Sequence, residues 1–201
     1  MQTAPDWKTK EINRKSEQGF GLVIVIIILA FLLGMGIVML SLTGTGTQIA
    51  GNIRTQDQAF NAAEAGFDLA WISIEENFLN GIWANFTDHY LKDPTGIDLP
   101  YAVNYFRKLT DLEIFDQLDP NGDGTADVTN VLYFKEPYIK DAGGQYNMRY
   151  TYTVFLIDDE AAGGTSDATD VLMVCIGAVG YGTELTTSRI EVLLATELPG
   201  S

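Results

Sequence analysis

Phe20 to Leu40 read FGLVIVIIILAFLLGMGIVML, 21 consecutive residues without a charge. At about 1.5 Å rise per residue, a helix of that length spans roughly 30 Å, the thickness of a bilayer hydrocarbon core. The run is longer than the apolar region of about 7 to 15 residues in a cleaved secretory signal, so it reads as an anchor. Lys8, Lys10, Arg14 and Lys15 precede it, and the next basic residue is Arg54. The positive-inside bias therefore places the N-terminus in the cytoplasm and everything after Ser41 outside.

Beyond the anchor about 160 of the 201 residues remain, enough for an amphipathic helix and one modest globular domain. The formal net charge is -15; residues 1–19 carry four basic and three acidic groups, net +1, which leaves -16 on the rest. A surface so acidic repels phosphate backbones, so no nucleic acid is expected to bind by direct charge attraction. Proteins and divalent cations are the expected partners. Cys175 is the single cysteine, so no disulfide can form within the chain.

Downstream of the apolar run, Ser41-Leu-Thr-Gly-Thr-Gly-Thr47 combines two glycines with threonines and predicts a hinge or a locally melted turn. Helical periodicity resumes at Gln48, with Ile49, Ile53, Phe60, Phe67, Ile74 and Phe78 recurring at steps of four and seven, joined by Ala63 and Ala70. Arg54, Gln56, Asp57, Glu64, Asp68, Glu75 and Glu76 supply a polar face. A helix is expected over 20 to about 79, ended by Asn80-Gly81. The aromatic-rich stretch from Ile82 to Asp127 reads as a loop-rich connection with one or two short helices near Val103 to Leu118. Strands are expected at Val131 to Tyr138, Met148 to Ile157, Val171 to Gly180 and Ser188 to Thr196. Gly143-Gly144 and Thr183 to Thr186 read as hairpin connections. The predicted fold is α+β: a long N-terminal helix packed by its amphipathic half on a C-terminal antiparallel sheet.

These residues carry a family resemblance. Gly19-Phe20, opening a long apolar run after a charged leader, resembles the class III signal of type IV pilins and pseudopilins, which prepilin peptidase cuts between Gly and Phe. Ile49-Ala-Gly-Asn-Ile-Arg54 and Gln58-Ala-Phe-Asn-Ala-Ala-Glu-Ala-Gly66 resemble the N-terminal region of PilX-type minor pilins. The resemblance covers about residues 15 to 75, and the sheet is similar only in style. It implies a cleaved cytoplasmic leader over 1–19, a transmembrane and filament-core helix over 20–42, its amphipathic continuation over 43–80, and a globular domain over 81–201. It also implies a single-pass protein of the bacterial inner membrane. Its expected partners are other minor pilins, the major pilin, a pilus tip protein, prepilin peptidase and, before assembly, membrane lipid.

Major pilins of that family carry a glutamate at the fifth mature position, whose carboxylate is thought to neutralise a neighbour's N-terminal ammonium. Counted from Phe20, that position here is Ile24. A chain lacking the carboxylate cannot form that buried pair, whose absence leaves a charge unpartnered in an apolar core. The resemblance thus implies an initiating, tip-proximal subunit. The alternatives are the tip pseudopilin of a type II secretion system and a membrane-anchored calcium-dependent adhesin or binding domain.

The expected processing pair is Gly19 and Phe20; the alternative is an uncleaved signal anchor. Glu64, set among alanines, is either a solvated carboxylate or a contact to the globular domain or a neighbour. Asp119-Pro-Asn121-Gly-Asp123-Gly124-Thr125-Ala-Asp127 follows a calcium-loop template. Side-chain oxygens of Asp119, Asn121, Asp123 and Asp127 and the Thr125 carbonyl would wrap a calcium ion. Its twelfth position is Asn130 rather than a glutamate, flanking helices are not evident, and the other reading is an Asx-turn-rich loop. A second acidic stretch, Asp158-Asp159-Glu160 with Asp167 and Asp170, reads as a hairpin loop. Cys175 reads as a buried strand residue, and His89 has no catalytic partner at useful spacing. No triad, zinc motif or phosphate-cradling loop is present, so a non-enzyme is expected.

Overall fold

The computed structural model describes residues 8–158, 169–182 and 184–196, with side chains from Phe20 onward. Two compact units divide the chain, Met1–Asn52 and Ile53–Ser201. In sequence order the elements are helix α1 (Lys8–Leu79), a 3-10 turn at Phe106–Lys108, helix α2 (Asp111–Leu118), and strands β1 (Val131–Pro137), β2 (Tyr150–Ile157), β3 (Asp170–Tyr181) and β4 (Glu184–Ala195).

In the first unit α1 begins at Lys8, twelve residues before the apolar run, and stays helical through Ser41 to Thr47. The melted turn expected there is absent. The hydroxyls of Thr43, Thr45 and Thr47 donate to the carbonyls of Met39, Ser41 and Gly44, at 2.9, 3.0 and 2.9 Å. These bonds satisfy the three hydroxyls within the helix, and the backbone stays helical although such back-bonding and the two glycines each weaken it slightly.

In the second unit the strands form one antiparallel sheet in the order β1-β2-β3-β4. β2 and β3 pair without interruption from Tyr150↔Val179 to Ile157↔Leu172. The connection from β3 to β4 is tighter than expected: Tyr181 pairs with Glu184, so Leu185 and Thr186 already belong to the ladder. Gly182, directly after Tyr181, takes the left-handed conformation at φ +57.

α1 covers one face of this sheet. Ala70 and Ile74 pack with Tyr152, Val154, Leu156, Met173, Cys175 and Leu194. The residues turned inward are small, with Ala59, Ala62 and Ala63 fully buried and Gly66 against the Tyr152 ring. Small residues bring the helix axis close to the strands. Of the expected stripe, Ala63, Ala70 and Ile74 are buried, whereas Ile53 and Phe60 lie on the flank, 57% and 44% exposed.

The segment read as a connection does more than connect. Trp83, Phe86 and Tyr90 join the α1 side of the core. Leu91 donates its amide to the Leu156 carbonyl at 2.8 Å, and from there the chain lines the opposite face. Leu91, Ile97, Phe106, Ile114, Phe115 and Leu118 pack on Phe155, Ile157, Val174 and Ile176. The sheet is therefore the middle of three layers. This is why β2 and β3 read as near-continuous apolar runs instead of alternating ones. Full burial of each such Leu, Ile or Phe contributes about 1.5–3 kcal/mol.

Two polar devices hold the third layer, on the face away from α1. Thr110 and Glu113 form a reciprocal capping box at the start of α2, with the Thr110 amide donating to Glu113 Oε2 at 2.8 Å. Arg189 of β4 pairs with Asp111 and donates to the carbonyls of Phe106 and Leu109 at 3.3 and 3.2 Å.

Candidate functional site

The first unit carries one helical segment long and apolar enough to cross a membrane, starting at Phe20. Its apolar side chains are uncovered; Phe20 is 69% and Ile24 41% exposed. Gly19 lies within the helix, immediately before Phe20. Gly21, Gly34 and Gly36 have no atom within 4 Å of where a Cβ would stand. Such glycines allow another helix backbone to approach closely. The run from Phe20 to Leu40, Ile24 included, holds no charged group.

Glu64 is exposed, while Ala62 and Ala63 beside it are buried. Its carboxylate therefore points away from the sheet, and the contact to the globular domain weighed above is not made. The alanines, not the glutamate, make the close approach.

The acidic loop begins where α2 stops, so one helix does flank it, and β1 follows on the other side. Asp119 is buried; its two carboxylate oxygens accept from the amides of Asp123 and Gly124 at 3.1 and 3.0 Å. Lys135 Nζ stands 3.6 Å from the same carboxylate. Asn121 Nδ2 donates to Asp127 at 2.8 Å, and its own side-chain oxygen accepts from the Asp123 amide at 2.8 Å. The Thr125 hydroxyl and amide both donate to Asp123, which holds that carboxyl below its ordinary range. Gly122 and Gly124, at φ +72 and +90, make the sharp turns. Asn130, at the twelfth position, donates its side-chain amide to the Tyr90 carbonyl at 3.0 Å and so is turned to the core. The donor chemistry suits a hard cation. Among the described residues, however, no three His, Cys, Asp or Glu side chains converge as a metal-binding group. The loop is closed by its own Asx turns, with Lys135 supplying a positive charge at its buried carboxylate.

Of the second acidic stretch, Asp159, Glu160 and Asp167 lie outside the described residues; Asp158 is buried and Asp170 is half-buried. Cys175 is buried on the α1 face of β3, and burial pushes its thiol up to about 12. A thiol so shifted is no nucleophile at neutral pH. His89 stacks on Trp83 with ring centroids 4.0 Å apart, and burial lowers its pKa from the ordinary 6.5.

Sequence reasoning missed one surface. Trp71, Phe78, Leu193 and Leu194 line an open apolar groove of about 400 Å³ between the end of α1 and the end of β4. Trp71 was the available signal, since it falls four residues after Phe67 and seven before Phe78. No family model, curated protein or solved structure matches the chain.

Proposed function

We propose that this chain is a minor pilin that takes part in initiating a type IV pilus, close to the filament tip. The observation that carries the reading is the continuity of α1. One helix runs from an uncovered, membrane-length apolar stretch into a segment whose small residues pack on a four-stranded antiparallel sheet. That layout suits a subunit stored in a bilayer and then transferred into a bundle of like helices, where apolar packing replaces lipid. The leader before Gly19-Phe20 and the motifs over 49–66 support the same reading.

In this account prepilin peptidase removes the leader, and the protein resides in the bacterial inner membrane with its N-terminus cytoplasmic. It docks with other minor pilins, the major pilin and a tip protein, and has no catalytic activity. Ile24, which cannot neutralise a neighbour's ammonium, suits a subunit with no chain above it. The test is deletion of the gene in its bacterium. Surface pili are expected to fall sharply while type II secretion continues; normal piliation with failed secretion would instead assign the chain to the secretion machine.

A further inference from the structure

The two edges of the sheet are unlike. β1 meets β2 through two register shifts, carries Pro137, and holds Lys135 at φ +47, all of which blunt an edge. β4 instead pairs with β3 residue for residue from Glu184 to Ala195, and among the described residues no strand pairs with its other side. The Thr196 amide donates inward to the Thr169 carbonyl at 2.7 Å, and alternation along β4 therefore turns the amides of Thr187, Arg189, Glu191 and Leu193 outward. Gln56 of α1 donates to the Thr187 carbonyl at 3.2 Å, as an outward carbonyl allows.

Beside that edge α1 presents a ledge. Ile53, Phe60, Phe67, Trp71 and Phe78 recur at helical spacing on the side that meets β4, and Trp71 is 46% exposed. The ledge ends in the groove shared with Leu193 and Leu194. Farther around the helix Asp57, Glu64, Asp68 and Glu75, all exposed, recur at steps of seven, four and seven. α1 has no basic residue after Arg54.

We infer that the β4 edge and the flank of α1 above it receive one extended segment of a partner protein, added as a fifth strand, whose α1-facing residues alternate between apolar and basic. Backbone pairing supplies the edge contact, apolar side chains settle on Phe60, Phe67 and Trp71, and lysines or arginines extend to the carboxylate row. A second copy is the wrong occupant, because it brings the same carboxylates and a charge of -16 beyond its leader. The inference goes beyond the pilin reading and holds for any anchored domain with this surface.

The test uses the full chain in detergent micelles and a synthetic 12-residue probe of three Thr-Leu-Thr-Lys repeats, with Thr-Leu-Thr-Glu as control. Hydrogen exchange at Thr187, Arg189, Glu191 and Leu193 is expected to slow about tenfold or more with the lysine probe and stay unchanged with the control. Trp71→Glu, at an exposed site, is expected to weaken probe binding about tenfold, and Leu193→Pro to abolish the protection by removing an outward N–H. Equal protection by both probes, protection of none of these amides, or protection that grows with protein concentration alone would overturn the inference. None of these outcomes bears on N-terminal processing, so the pilin reading stands or falls separately.

Discussion

Gly177 of β3 lies directly against the backbone of α1 at Ala59. A Cβ added at Gly177 would collide with the Ala59 carbonyl oxygen and the Ala63 amide, and would stand 2.9 Å from the Ala62 Cβ. Neither backbone atom can move without displacing the helix from the sheet. This one absence of a side chain sets how closely the two layers pack.

Gly177→Ala is therefore expected to destabilise the protein by about 3 kcal/mol, at the upper end of overpacking effects. Urea unfolding of the full chain in detergent, followed by tryptophan fluorescence, would measure it. Gly81→Ala is the comparison: open space surrounds that position, and only its φ of +68 resists a side chain. The cost there is expected to be about 1 kcal/mol. Equal losses would mean that the helix is not held at the distance described.

His89 makes stability depend on pH in a defined direction. Burial against Trp83 lowers its pKa below 6.5, so the unfolded chain binds the proton more readily than the folded one. The contribution is fully present above pH 6.5 and is lost as pH falls through the lowered folded value. Denaturation midpoints between pH 7.5 and about 5 should fall for the native chain and fall less for His89→Gln. Identical slopes would remove the stacking contact as a cause.

The acidic loop yields a separate expectation. Calcium at millimolar concentration is expected to raise the melting temperature by about 5 °C, by binding the folded loop and drawing its carboxylates together. Asp123→Asn and Asp127→Asn, both exposed, should abolish the shift, while weakening the acceptors for Thr125 and Asn121 lowers the calcium-free melting temperature only slightly. An unchanged melting temperature in the native chain would leave the loop as a set of Asx turns closed by Lys135.

Much of this arrangement could be read in advance where composition and period coincide. The run from Phe20 to Leu40 identified the membrane-length segment, and enrichment in Val, Ile, Tyr and Thr located all four strands to within a few residues. The stripe of Ile49, Ile53, Phe60, Phe67, Ile74 and Phe78 with Ala63 and Ala70 marked the helix, and Ala63, Ala70 and Ile74 are buried against the sheet, while Ile53 and Phe60 stay exposed on the flank. Large apolar residues dominate such a pattern, whereas the closest approach is made by Ala59, Ala63 and Gly66, whose value lies in what they lack. The third layer was hidden because Leu91 to Leu118 has no regular period beyond eight helical residues, and only the unbroken apolar character of β2 and β3 hinted that both faces needed cover. At the candidate sites, chain order revealed the acidic loop but not Lys135, which reaches Asp119 from β1 across sixteen residues.

The central claim, that this is a processed pilin-like subunit, is tested most directly by mass spectrometry of the N-terminus of the protein from its native membrane, in strains with and without prepilin peptidase. The account predicts a chain beginning at N-methylated Phe20 when the peptidase is present and an intact leader when it is absent. A leader that persists in both strains would contradict it and make the anchored binding domain the correct description.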